Sequence, residues 1–142
     1  MRVMGKLVLD TNVLLKTLPR ISPFHDLYLS LFDGRNELCV SNDIIEEYEE
    51  IIELKTNHFI AQSIIEQILN NPYTRFIDPY YAFNLIISDP EDNKFVDCAV
   101  ASNAKYIVTN DRHFNILKEI DFPKIDIITI EEIMKTLQEN IP

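Results

Sequence analysis

Leu7-Val8-Leu9-Asp10-Thr11-Asn12-Val13-Leu14-Leu15 (LVLDTNVLL) is the stretch that decides the fold. Three consecutive apolar residues closed by an acid suit a strand buried on both faces, as in a parallel sheet. Thr11 or Asn12 then caps a helix that runs to about Leu18 and stops before Pro19. A buried strand running straight into a helix is the start of an α/β fold, and it leaves Asp10 at the carboxyl end of its strand.

The rest of the chain repeats that alternation. Phe24 to Phe32 reads as a helix closed by Asp33-Gly34, and Glu37 to Val40 as a strand. Ser41, Asn42 or Asp43 caps a helix to about Leu54; Asn57 to Leu69 is another, ended by Asn71-Pro72. Thr74 to Ile77 is a short strand. Asp89-Pro90-Glu91-Asp92 starts a helix reaching about Asn103. Tyr106 to Val108 is a buried strand, Phe114 to Lys118 a short helix, Asp126 to Ile130 the last strand and Glu131 to Glu139 the last helix. The expected architecture is therefore α/β, a small parallel sheet flanked by helices, as a single domain over residues 1–142.

Composition narrows the function. The chain has 142 residues, 13 Lys plus Arg against 23 Asp plus Glu, a net charge of −10, and 2 Gly. So few glycines exclude Gly-rich phosphate loops and flexible linkers. An acidic chain repels bare nucleic acid at long range, which excludes simple electrostatic coating, yet a bound divalent ion reverses the sign locally. Arg112, Lys94, Lys16, Arg20 and Arg35 are the basic residues available to a groove. Cys39 and Cys98 sit in apolar runs and read as reduced core thiols. His25, His58 and His113 are too scattered for zinc. No apolar run suits a membrane span or a signal segment, so the expectation is a cytoplasmic protein.

Four acids break the amphipathic pattern. On the helix from Asp43, Ile44, Ile45, Tyr48, Ile51, Ile52 and Leu54 define the apolar arc at about 100° per residue, and Glu47 falls between Leu54 and Ile51, within its edge. The bland reading is a glutamate that reaches to water. On the helix from Pro90, Asp92 lies near the centre of the arc set by Phe95, Val96, Ala99 and Val100, where a helix-start acid is the bland reading. Asp10 and Asp111 each follow a buried strand, at a cap or turn position. Neighbouring strands are about 4.8 Å apart, so these two carboxylates are close enough to share ions. Asp10, Glu47, Asp92 and Asp111 are expected at one rim, with no Lys or Arg beside them. Such a cluster stays ionised only with cations, and an all-oxygen donor set selects Mg²⁺ or Mn²⁺. Sites of this kind hydrolyse phosphodiesters with two ions about 3.5–4 Å apart.

At these residues the sequence resembles the PIN-domain ribonucleases, in particular their toxin-like members. The matching pieces are LVLDTNVLL at Leu7 to Leu15, IIEEYEEII at Ile44 to Ile52, DPEDNKFVDCA at Asp89 to Ala99 and YIVTND at Tyr106 to Asp111, in family order. The resemblance implies a PIN-like fold, with helices on both faces of the sheet. It implies that Asp10, Glu47, Asp92 and Asp111 are the first to fourth metal-binding and catalytic acids, supported by Asn12 and Thr109. Asp97 matches an acid that supports the site or adds a ligand. It further implies Mg²⁺- or Mn²⁺-dependent cleavage of single-stranded RNA leaving 5′-phosphates, and, as in many members, an antitoxin partner and a homodimer. Two other readings stand beside it. One is an aspartyl-phosphate phosphatase, which wants an acid where Asn12 stands. The other is a PIN-like module, weak or inactive in catalysis, that acts by binding protein. Phe59, Ile60, Ile64, Ile65 and Ile68 form a stripe that fits either core packing or a partner surface.

Overall fold

A computed structural model describes residues 5–86 and 89–139. The outermost parts of the expected 1–142 domain, residues 1–4 and 140–142, lie outside the described residues.

The described strands are β1 (Gly5–Leu9), β2 (Asn36–Val40), β3 (Arg75–Phe76), β4 (Tyr106–Val108) and β5 (Ile127–Ile128). They form one parallel sheet in the order β3-β2-β1-β4-β5. The helices are α1 (Thr11–Thr17), α2 (His25–Ser30), α3 (Asn42–Lys55), α4 (His58–Asn70), α5 (Asn93–Ser102) and α6 (Ile130–Glu139), with 3-10 turns at Pro90–Asp92 and Arg112–Glu119. β1 lies at the centre, and Leu7, Val8 and Leu9 are buried, as a strand covered on both faces requires. Leu9 pairs with Val108, so Asp10 and Thr109 leave the sheet side by side at its carboxyl edge. Asp111 lies two residues further on. Among the described residues no helix is long and apolar enough to cross a membrane.

Capping explains where elements differ from the sequence expectation. Asp10 itself, not Thr11 or Asn12, caps α1 and accepts from Val13 N at 3.1 Å. Ser41 caps α3 and Asn57 caps α4. Asp89 accepts from Glu91 N and tightens Pro90–Asp92 into a 3-10 turn, which delays α5 to Asn93. The segment after β4 is 3-10 over Arg112–Glu119, longer than the helix expected over Phe114 to Lys118. The last strand shortens to Ile127–Ile128 because Thr129 turns to cap α6. Thr129 Oγ1 accepts from Glu132 N at 3.1 Å and Glu132 Oε1 accepts from Thr129 N at 3.1 Å, a reciprocal capping box. At Asp33-Gly34 the backbone takes φ +88° at Gly34, and an added Cβ would sit 3.0 Å from the Tyr73 ring.

The stripe on α4 divides. Ala61, Ile65 and Ile68 are in the core, Ile64 packs against it, and Phe59, Ile60 and Leu69 face solvent. Arg35, one of the cations available to a groove, is engaged elsewhere. It grips Asp26 through two bonds of 2.9 and 3.0 Å and Asp33 at 2.9 Å. The Arg35 hydrogen bond outweighs burial and holds the Asp26 carboxyl below the usual carboxylate range. A depressed folded-state value means that the stabilisation is present above the unfolded value of about 3.8 and is lost as pH falls through the folded one. The Asp26 side chain is partly exposed, so Asp26→Asn should cost only about 0.2–1 kcal/mol at pH 7, and the cost should fade in acid as the carboxyl is protonated. Urea melts at pH 7 and in acid check this. A loss of equal size in acid would mean that the ion pair is not its cause.

Candidate metal centre

Four segments deliver acids to the carboxyl edge of the sheet. Asp10 arrives from β1 and is buried. Its Oδ1 caps α1 and its Oδ2 accepts from the Thr109 hydroxyl. Thr109 Oγ1 in turn accepts from Asp111 N at 3.0 Å, so one buried threonine ties the two strand-end aspartates together. Asp111 Oδ1 accepts from His113 N at 2.9 Å and starts the 3-10 turn. Glu47 sits one helical turn before Ile51 on α3, half-buried; it accepts from Thr11 Oγ1 and from Lys94 Nζ at 2.9 Å. Asp92 stands at the head of α5, where the helix dipole favours an acid, and makes no capping hydrogen bond.

Asp10, Glu47, Asp92 and Asp111 line one open cleft of about 210 Å³, together with Thr11, Asn12, Ile51 and Phe95. The structure thus brings together the four acids singled out from the sequence. Asn12 borders the cleft and is exposed; Thr109 lies beneath it. Asp97 lies elsewhere. It accepts from Phe83 N at 3.0 Å and borders a neighbouring groove with Tyr80 and Tyr81, where it pins the segment between β3 and α5. Asn93 pins the same segment by pairing with both Ile86 N and Ile86 O, at 2.9 and 2.8 Å.

Electrostatics confirm the crowding. Burial raises the Asp10 carboxyl; the Thr109 hydroxyl and backbone N–H groups oppose this, and Asp111 adds to it. Asp92 is pushed up to about 6 by burial first, then by Asp89, Asp111 and Asp10, with His113 opposing. Asp92 Oδ2 is buried with no hydrogen-bond partner. A buried, unpartnered carboxylate oxygen among three other acids is costly unless a cation completes it. The donor set therefore fits a divalent ion.

Three neighbours were not foreseen. Lys94, expected at most to line a groove, compensates Glu47 directly and also reaches Glu91 at 3.2 Å. The cluster is therefore not free of basic partners. Asp89 and His113 stand at the same rim, and one ligand atom from each of Asp89, Asp92 and His113 lies within 4.8 Å of the others. His113 thus stands at the rim instead of apart from it, and places an imidazole beside the carboxylates. The signals in the sequence were short-range: Asp89 precedes Asp92 by three residues, and His113 follows Asp111 by two.

A parallel sheet with converging carboxylates at its carboxyl edge defines a class of small α/β domains built around an acidic centre. The chain belongs to the PIN-domain family, whose model matches residues 6–113. No curated protein matches the sequence. Among solved structures, the fold is similar to VapBC2 from Rickettsia felis bound to a DNA fragment from its promoter. That match has a TM-score of 0.61 and 18% identity, over 87% of this chain and 98% of that one. DNA-bound VapBC from Salmonella typhimurium gives 0.61 and 19%, over 89% and 99%. VapBC-1 from nontypeable Haemophilus influenzae gives 0.59 and 14%, over 89% and 98%.

Proposed function

We propose that this protein is a divalent-metal-dependent endoribonuclease that cleaves single-stranded RNA, the toxin of a toxin–antitoxin pair. The observation that carries the reading is the cleft: four acids from four distant segments, one with a buried oxygen that no donor satisfies. Asp10, Asp92 and Asp111 would hold Mg²⁺ or Mn²⁺, and Glu47 would be a further ligand or orient the attacking water. Divalent ions at such a site supply an activated water and charge stabilisation of the leaving oxygen, giving 5′-phosphate products. The protein's own part is placement. Thr109 fixes Asp10 and Asp111 relative to each other, and Thr11 and Lys94 fix the Glu47 carboxylate. Phe95 and Ile51 form the apolar wall behind the acids.

The chain works in this reading as one domain in the cytoplasm. The likeness to chains of VapBC assemblies supports a second protein as partner, which we assign as an antitoxin. Exposed Phe59, Ile60 and Leu69 on α4 offer apolar area for it or for a second copy of the chain.

The test is incubation with unstructured RNA in Mg²⁺, in Mn²⁺ and in EDTA. Cleavage should require the ion and disappear in EDTA. Robust cleavage in EDTA would refute the metal-dependent reading.

A further inference from the structure

We propose that His113 supplies an imidazole nitrogen to the divalent ion at this rim, so that the centre is a mixed oxygen–nitrogen site and takes Mn²⁺ ahead of Mg²⁺. The proposal rests on the metal-dependent reading above and adds a ligand to it.

His113 Nδ1 lies 3.4 Å from Asp111 Oδ1, 3.6 Å from Asp92 Oδ2 and 3.9 Å from Asp89 Oδ2. These separations are longer than the roughly 2.7–3.2 Å of an N–H···O hydrogen bond. They suit ligands gathered on one ion instead. Bonds of about 2.1 Å at octahedral angles, the geometry Mn²⁺ takes, place ligand atoms roughly 3.0 Å apart when adjacent and roughly 4.2 Å when opposite. The three separations lie between these values. Asp92 Oδ2, the atom 3.6 Å from Nδ1, is the buried oxygen that has no hydrogen-bond partner.

The local fold aims the ring at this position. His113 N is held by Asp111 Oδ1, and the next residue, Phe114, is buried in the core. The His113 side chain is nevertheless 46% exposed, so an ion from solvent can reach it. Chemistry then sets the preference. Mg²⁺ takes oxygen ligands and keeps its waters, whereas an imidazole favours transition-metal ions.

The experiment uses the full chain, stripped of metal and titrated by calorimetry with Mn²⁺ or Mg²⁺ alone. Pulsed EPR of the bound Mn²⁺ then looks for ¹⁴N coupling. Wild type should bind Mn²⁺ more tightly than Mg²⁺ and show the ¹⁴N signal. His113→Ala should abolish the signal and weaken Mn²⁺ by about tenfold or more, while changing Mg²⁺ far less. His113→Asn, which puts an oxygen donor at a similar reach, should also abolish the ¹⁴N signal and narrow the preference for Mn²⁺ over Mg²⁺, and it keeps the test if the alanine variant folds poorly. Bound Mn²⁺ without ¹⁴N coupling in wild type, or equal weakening of both ions in the variants, would overturn the nitrogen ligand while leaving the metal reading intact. Binding of neither ion to wild type would overturn both.

Discussion

Asp10→Asn should lower metal-dependent RNA cleavage by about 10²–10³-fold while leaving the fold as stable as wild type or more so. The two halves of this expectation have different causes. The loss of rate follows from removing a charge that divalent ions would need. The retained stability follows from what Asn keeps. Asn is as good a helix N-cap as Asp, so its Oδ1 still accepts from Val13 N. Thr109 Oγ1 now donates to the Asp10 carboxylate and accepts from Asp111 N. A hydroxyl has two lone pairs, so Thr109 can accept from the new amide and from Asp111 N together. The like-charge pressure that helps to push Asp92 up also falls when Asp10 is neutral. Initial rates on unstructured RNA and a thermal melt of both proteins decide the matter. Activity within a few-fold of wild type would remove Asp10 from the centre. Asp10→Ala is the weaker test, because it also deletes the cap, worth about 0.5–2 kcal/mol.

What the sequence made legible follows from periodicity. β1 and β4 are short apolar runs bounded by polar residues, so their ends could be read, and each run placed an acid at the same sheet edge. Glu47 and Asp92 stood out because a helix wheel is rigid: a carboxylate on or beside the apolar arc has its Cα–Cβ bond turned towards the fold. Single contacts obey no such period. That Lys94 neutralises Glu47 depends on how α5 lies beside α3. That Asp89 and His113 join the rim depends on two tight turns, Pro90–Asp92 and Arg112–Glu119, whose 3-10 geometry rotates side chains away from an α-helical wheel. Asp97 shows the converse. Its match to the family's motif suggested a place near the centre, whereas its carboxylate holds Phe83 N on the neighbouring groove. A hydrogen bond to a segment without regular structure leaves no pattern in sequence.

The largest effect on stability is expected from Phe114→Ala, at about 3–5 kcal/mol. Phe114 is fully buried and meets Phe95 edge-on, with ring centroids 6.4 Å apart and planes at 61°. It belongs to the 3-10 turn Arg112–Glu119, and 3-10 hydrogen bonds are poorly aligned, so the turn depends on the side chains it buries. Within it Phe114 and Leu117 are the buried residues. Truncation leaves a cavity beside Phe95, which is itself a wall of the acidic cleft. A protein of this size has about 5–15 kcal/mol of stability in all, so the variant should sit close to unfolding. The loss should also reach the metal centre, because Asp111 and His113 start this same turn. Phe114→Leu keeps most of the volume and should cost much less than the alanine variant, with ion binding closer to wild type. Urea melts measure the first effect and Mn²⁺ titration the second. A cost below about 1 kcal/mol for Phe114→Ala would mean that the turn is held by something other than its buried ring.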